Sequence, residues 1–331
     1  MGGCVPAERD AGEGCERSSI KKGEAPILAN HNRLTVKTVS ATALAGWLEM
    51  NIKIRAIKKR EPLKVGSRVS KLTRVEFERH PYPALLKEPA HFWDEVFISN
   101  EAYILSEVTH PRIRRKLAYD ASTHQLFLEY IEADTLDELA LKHITVKDPS
   151  RTHRLLQNLA ETVADMHAGI FCGRPIVHND LKSRNVLVPI AAPAEIRLID
   201  FSHSYFEGNL PPFITDKKKN PEGTAKYSAP EKWDGDFTKG FKGDVFAFGV
   251  TAYCACTGKY PFDGELAEIE RGIRETPTPS PLKLGHNLLR NTAAVIMDCL
   301  EKNPDRRPTM EHVAKVYADS ASLLPRAKPS L

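Results

Sequence analysis

The feature that most constrains this chain is the stretch from Ile176 to Val188, which reads I-V-H-N-D-L-K-S-R-N-V-L-V. Apolar and β-branched residues at its two ends favour two short strands, and the residues between them form a polar loop. A polar loop on a rigid scaffold is a common setting for a reaction centre. Asp180 could accept a proton, Lys182 could neutralise a phosphate, and Asn185 could supply an oxygen to a hard cation.

Composition narrows the class of protein. The chain has 27% charged and 41% hydrophobic residues, which is ordinary for a globular protein. Its net charge of +4 is small for 331 residues and argues against a dedicated nucleic-acid-binding protein. No run of about 18 apolar residues occurs, so we expect no membrane span. The six scattered cysteines and the absence of a secretory signal predict reduced thiols in an intracellular protein, cytoplasmic or nuclear.

The chain divides into four parts by composition. Residues 1–26 contain almost no large apolar side chain and are predicted to be a disordered tail. Residues 27–61 show short apolar alternations, which favour an extension with additional strands. Residues 62–320 form the main domain, strand-rich to about residue 132 and helical afterwards, and residues 321–331 form a C-terminal tail. This order predicts an α+β fold in two lobes.

A second acidic residue belongs to the same region as the polar loop. Ile196 to Ile199 is predicted to pair with the strand that follows Asn185, and Asp200 comes directly after it. This hairpin would bring Asp200 beside Asn185 and provide two oxygen ligands for Mg²⁺. Upstream, Lys87 ends an apolar strand, and Glu101 lies on a helix predicted from about Ile98 to Val108.

These motifs, in this order, resemble those of eukaryotic protein kinases of the serine/threonine branch. The polar loop resembles H-R-D-L-x-x-x-N, with Asn179 in place of arginine, and Asp200-Phe201-Ser202 resembles D-F-G, with serine in place of glycine. Three later segments also resemble the family: Gly223 to Glu231 (ending in A-P-E), Asp244 to Gly249, and Asn303 to Thr309 (containing R-P-T). The resemblance extends from about Lys64 to Ala318.

The resemblance implies a two-lobed protein-kinase-like fold with a small strand-rich N-lobe and a larger, mainly helical C-lobe. It implies ATP-dependent phosphorylation of serine or threonine in protein substrates, with ATP and Mg²⁺ as cofactors; the oligomeric state stays open. It also implies an ion pair between Arg307 and Glu231. The implied site residues are Asp180 and Lys182 for catalysis, Lys87, Glu101, Glu129, Ile131, Asn185 and Asp200 for the nucleotide, and Asn185 and Asp200 for the metal.

The chain departs from the family pattern in its N-lobe. The glycine-rich loop is missing, since Lys64 to Phe77 contains only Gly66. Leu85 occupies the place of a small alanine, two residues before Lys87 and therefore on the same face of the strand. These departures leave two alternatives open. One is a pseudokinase that serves as a protein-binding scaffold, and the other is a small-molecule kinase, which would lack the A-P-E and R-P-T segments.

Overall fold

The computed structural model describes residues 57–63, 70–78, 80–211, 225–284 and 288–324. The predicted N-terminal tail, the predicted extension before residue 57, the region around Gly66 and residues 325–331 lie outside the described residues. The same holds for most of the segment that precedes Ala225, residues 212–224.

Five antiparallel strands form the sheet of the first lobe, in the order β1-β2-β3-β5-β4. They are β1 (Ile57–Pro62), β2 (Ser70–Phe77), β3 (His80–Pro89), β4 (Lys116–Asp120) and β5 (Gln125–Glu129). Successive side chains of a strand point to opposite faces. Ala84 and Leu86 therefore pack with Phe127 on one face, whereas Leu85 belongs to the main core on the other. Lys87 shares the face of Leu85, as the sequence predicts.

Helix α1 (Asp94–Glu107) packs against this sheet. It begins four residues before the predicted start at Ile98. The Asp94 carboxylate accepts hydrogen bonds from the N–H groups of Ala90 (2.8 Å) and His91 (2.7 Å), which fixes the entry to the helix. An acidic first turn also interacts favourably with the positive end of the helix dipole. Glu101 is 1% exposed on the face that meets the core.

The second lobe is built from helices around one buried helix. They are α2 (Leu136–Leu141), α3 (Ile144–Lys147), α4 (Pro149–His167), α5 (Pro230–Trp233), α6 (Gly240–Thr257), α7 (Leu266–Arg274), α8 (Arg290–Cys299) and α9 (Met310–Ser320). Almost every residue of α6 is buried, as the apolar run from Val245 to Cys256 favours. A Cβ at Gly249 would lie 2.9 Å from Cys299 Cβ, so glycine permits the close approach of α6 and α8.

Short strands frame the polar loop. They are β6 (Ala133–Thr135), β7 (Ile176–Val177), β8 (Val186–Pro189), β9 (Arg197–Leu198) and β10 (Tyr205–Phe206). The predicted hairpin is formed by β8 and β9, with β6 on the other side of β8. Strand β7 pairs with β10. The loop therefore leaves one small sheet and enters another, which fixes both of its ends.

The predicted fold class is confirmed: a strand-rich lobe precedes a mainly helical lobe. In the described part of the chain, none of the helices combines the length and the apolar character that crossing a bilayer requires.

Candidate active site

The polar loop lies between β7 and β8, and its side chains converge on the carboxylate of Asp180. Lys182 Nζ lies 2.6 Å from Asp180 Oδ2. Asn185 Nδ2 donates to the main-chain oxygen of Asp180 at 2.8 Å and to Oδ2 at 3.2 Å. Among the described residues, Asp180 Oδ1 has no hydrogen-bonding partner. The loop thus fixes the orientation of the Asp180 carboxylate through one of its two oxygens.

Asp244 of α6 holds the main chain of this loop from the core. Its carboxylate accepts hydrogen bonds from the N–H groups of His178 and Asn179, both at 2.8 Å, and His167 Nε2 lies 3.1 Å away. Burial raises the pKa of Asp244, but the hydrogen bond and charge of His167 outweigh it and hold this pKa below its usual value. Asp244 is therefore an ionised anchor for the loop.

A second cluster joins the sheet, α1 and the segment after β9. Lys87 Nζ lies 2.6 Å from Glu101 Oε2 and 3.0 Å from Asp200 Oδ1. Burial lowers the pKa of Lys87, but Asp200 and Glu101 raise it above its usual value. Burial likewise raises the pKa of Asp200, yet the Lys87 ammonium holds it well below the usual range. Lys87 and Asp200 are therefore charged, and the predicted pair of Lys87 and Glu101 is formed.

The main chain at Asp200 has an uncommon conformation that its neighbours support. Its φ of 65° lies in the left-handed region, which aspartate tolerates better than most residues. Glu101 Oε1 accepts a hydrogen bond from the Phe201 N–H at 3.3 Å, and Ser202 Oγ donates to Asp200 Oδ1 at 2.8 Å. Asn100 Nδ2 donates to the Ser202 oxygen at 3.0 Å. The serine that replaces glycine here thus contributes a hydrogen bond of its own.

The oxygen atoms at one end of the β8–β9 hairpin are suitable ligands for Mg²⁺. The Ile199 N–H donates to the Asn185 oxygen at 2.9 Å, so Asn185 and Asp200 lie at the same end of the hairpin. Within the described residues, Asn185 Oδ1 and Asp200 Oδ2 have no hydrogen-bonding partner. One amide and one carboxylate oxygen are hard ligands, and Mg²⁺ commonly takes one or two carboxylates together with substrate phosphates.

Glu129 and Ile131, the other two predicted nucleotide-binding residues, follow from β5 into the connection between the lobes. The Glu129 carboxylate lies 3.3 Å from Arg115 Nη2, and the Glu129 N–H donates to the Arg115 oxygen at 3.0 Å. In the part of the chain that the structure describes, no hydrogen bond or ion pair joins these two residues to the Lys87 cluster. The side chain of Glu129 is engaged elsewhere, which leaves only its main chain for a ligand.

The sequence analysis does not single out Arg114, which lies beside the site. Its N–H donates to the Leu198 oxygen at 3.0 Å, and its Nε atom is buried with no hydrogen-bonding partner among the described residues. Burial lowers the pKa of Arg114, and Glu101, Glu129 and Asp200 partly offset this effect. The surrounding sequence, R-I-R-R-K, is typical of a solvated segment, so it carries no signal of this burial.

The segment that ends in A-P-E packs against the polar loop. Tyr227 Oη and Ser183 Oγ are 2.6 Å apart, and Ser183 Oγ also donates to Asp137 Oδ1 at 2.6 Å. Glu231 forms a bidentate ion pair with Arg307, with N–O distances of 2.7 and 2.8 Å. The predicted pair of Arg307 and Glu231 is thus confirmed.

Comparison with known proteins identifies the family. The family model described as "Protein kinase domain" matches residues 85–317. This range begins two residues before Lys87 and contains both ion clusters, Asp244 and the pair of Glu231 and Arg307. Strands β1 and β2 lie before it.

Curated relatives match over the same part of the chain. "Serine/threonine-protein kinase pkn2" of Myxococcus xanthus is 30% identical over 238 residues, covering 70% of this chain and 28% of that protein. "Serine/threonine-protein kinase PknB" of Mycobacterium tuberculosis is 28% identical over 225 residues, covering 66% of this chain and 34% of that protein. The "Serine/threonine-protein kinase SIK3 homolog" of Danio rerio is 26% identical over 221 residues, covering 66% of this chain and 17% of that protein. The chain therefore spans about a third or less of the length of these relatives.

Proposed function

This chain belongs to the protein kinase family, and on that premise we propose that it transfers the γ-phosphoryl group of ATP to serine and threonine hydroxyls of proteins. The observation that carries the proposal is the ion cluster in which Lys87 Nζ contacts both Glu101 and Asp200. Phosphoryl transfer depends mainly on positioning and on electrostatic stabilisation of the phosphoryl oxygens. The chain has charged groups for both tasks.

The nucleotide is bound mainly from the sheet. The Lys87 ammonium, held in place by Glu101, pairs with the α- and β-phosphates. Glu129 and Ile131 contribute through their main chain, because the Glu129 carboxylate is paired with Arg115. Leu72 of β2 pairs with Lys87 and shares its face of the sheet, whereas Lys71 and Thr73 pair with Glu88 and Leu86 on the opposite face, so the side chains of Lys71 and Thr73 do not replace a glycine-rich loop.

Asn185 Oδ1 and Asp200 Oδ2 are the ligands that this chain offers to Mg²⁺. Mg²⁺ held by these two oxygens would supply positive charge that neutralises the phosphates during transfer. The chain prepares this site by holding the Asp200 carboxylate ionised through Lys87. It orients Asn185 through the hydrogen bonds from Nδ2 to Asp180.

Asp180 and Lys182 carry the chemistry on the acceptor side. Asp180 orients the attacking hydroxyl through Oδ1 and accepts its proton as the phosphoryl group leaves ATP. Lys182, 2.6 Å from Asp180 Oδ2, stabilises negative charge on the transferring phosphoryl group.

The retention of all these groups favours an enzyme over a scaffold. The A-P-E and R-P-T segments, joined by Glu231 and Arg307, favour a protein substrate over a small molecule.

The acceptor class is tested with three peptides that differ only in serine, threonine or tyrosine at one central position. We expect Mg²⁺-dependent phosphorylation of the serine and threonine peptides, because Lys182 stands two residues after Asp180, as in the serine/threonine branch of the kinase family. Phosphoamino-acid analysis of the products is the measurement, and a peptide with alanine at the central position is the control. Products containing only phosphotyrosine would overturn this assignment.

Leu85 provides a test of the nucleotide-binding face. It is 4% exposed, on the face of β3 that carries Lys87. Because a large side chain replaces a small one there, we expect Leu85→Ala to tighten Mg²⁺–ATP binding by about tenfold, or ~1.4 kcal/mol. Calorimetric titration measures the dissociation constant. Leu86→Ala, on the opposite face and equally buried, is the matched control and should leave it unchanged. Unchanged or weaker binding by Leu85→Ala would show that Leu85 does not crowd the base.

A further inference from the structure

We propose that Lys232 is a positioning residue for Asp180, because its ammonium holds the main chain of the polar loop at Asn179. This inference rests on the proposed function. Lys232 follows the A-P-E segment directly and lies in α5, whereas Asp180 lies in the loop between β7 and β8. A hydrogen bond from the Lys232 ammonium joins the two segments.

The contact holds the peptide that leads into Asp180. Lys232 Nζ donates to the Asn179 oxygen at 3.0 Å, while the Asn179 N–H donates to Asp244 Oδ1 at 2.8 Å. Asn179 has a φ of 65°, a left-handed conformation that asparagine tolerates. Both polar main-chain groups of Asn179 are therefore held by oppositely charged side chains. The direction of the following peptide, and with it the Asp180 carboxylate, is fixed.

The packing around Lys232 makes room for this side chain. A Cβ at Gly243 would lie 2.9 Å from Lys232 Cε and 3.4 Å from Nζ. Gly243 precedes Asp244 in α6, so the absence of a side chain there opens the path by which the ammonium reaches the loop. Glycine in a helix interior costs about 0.5–1 kcal/mol relative to alanine. The close approach of Lys232 explains why glycine stands at position 243 in spite of this cost.

The charge of Lys232 fits its surroundings. Burial lowers the pKa of Lys232, and Asp244, Asp180 and Glu231 counter that effect, in this order, while Arg307 reinforces it. The ammonium therefore lies among three carboxylates, one of which is the proposed base. Of these three carboxylates, Glu231 is itself held by Arg307 through two hydrogen bonds.

The first test is the kinetics of Lys232→Met, which keeps the length of the side chain and removes its charge and donor. We expect kcat to fall about 10–100-fold, the effect of a misplaced catalytic group. KM for ATP should stay within about twofold, because the Lys87 cluster is untouched. Lys239→Met, an exposed lysine paired with Asp305, is the matched control and should change neither value. An unchanged kcat for Lys232→Met would overturn the proposal. A fall in kcat accompanied by an equally large rise in KM for ATP and by a lower melting temperature would also overturn it.

Gly243→Ala tests the same contact without removing Lys232. The new methyl group displaces the ammonium, so we expect kcat to fall about tenfold in the wild-type background. In the Lys232→Met background it should change kcat by less than about twofold, because the displaced group is gone. Equal effects of Gly243→Ala in the two backgrounds would contradict the proposal. If Lys232→Met folds poorly, Gly243→Ala alone decides the matter, because it keeps Lys232, and an unchanged kcat for that variant would contradict the proposal.

Hydrogen exchange separates this inference from the proposed function. We expect the amides of His178 and Asn179 to exchange at least about tenfold faster in Lys232→Met, because opening the loop becomes easier. The amides of β3 should be unaffected. If wild-type protein transfers no phosphate, the proposed function fails, while faster exchange still supports the role of Lys232. Unchanged exchange overturns that role whether or not the protein is active.

Discussion

Replacing Asp180 with asparagine is expected to lower the turnover number by about 10²–10⁴, the usual contribution of a positioned general base. The substitution keeps the shape of the side chain and an oxygen for Lys182 and Asn185, but it removes the group that accepts the hydroxyl proton. Steady-state transfer of phosphate to a serine peptide measures the effect. The nucleotide-binding cluster around Lys87 is unchanged, so Mg²⁺–ATP affinity should be kept.

Asp134→Asn is the matched control for this prediction. Asp134 is exposed on β6, outside both ion clusters, and its substitution should leave the turnover number within about twofold. A turnover number for Asp180→Asn equal to that of wild-type protein would show that Asp180 does not act as the base. A loss that coincides with unfolding in circular dichroism would show a structural role instead.

Replacing Arg307 with methionine is expected to lower the free energy of unfolding by about 3–5 kcal/mol. The Arg307 side chain has no solvent exposure and donates two hydrogen bonds to the Glu231 carboxylate. It also donates to the main-chain oxygens of Lys242, Glu301 and Lys302, at 2.9, 2.8 and 3.1 Å. Methionine leaves the Glu231 charge buried without its partner. Urea unfolding followed by fluorescence measures the change.

Arg306→Met is the matched control, because Arg306 is the exposed neighbour in sequence and should change stability by less than about 0.5 kcal/mol. The double variant Arg307→Met with Glu231→Gln should lose less stability than the two single variants added together, since each single variant strands a buried partner. Additive losses, or a loss below about 1 kcal/mol for Arg307→Met, would contradict the assigned role of the pair.

The sequence predicts the parts of this fold that depend on local pattern. The alternation of Ala84, Leu85 and Leu86 gives the two faces of β3, and the apolar run in α6 gives a buried helix. Boundaries are predicted less well where a cap decides them. Helix α4 begins at Pro149, after Asp148 accepts a hydrogen bond from the Arg151 N–H, although its apolar spacing becomes regular only from Leu155.

The candidate site is predictable where motif residues meet one another, as Lys87 does with Glu101 and Arg307 does with Glu231. It is not predictable where a residue acts on a main-chain group far away in sequence. Lys232 reaches the Asn179 oxygen only because Gly243 leaves space for its side chain. The sequence analysis assigns no role to either residue. Arg114 is similar, because its N–H is bonded to the main-chain oxygen of Leu198, far away in sequence.

The most direct test of the central claim is single-turnover transfer of the γ-phosphoryl group from radiolabelled ATP to a serine peptide by purified wild-type protein. We predict a Mg²⁺-dependent rate at least about 10² above that of Asp180→Asn under saturating ATP. Omitting Mg²⁺ should reduce the wild-type rate to the background. A wild-type rate equal to that of Asp180→Asn, with Mg²⁺–ATP shown to be bound, would contradict the account.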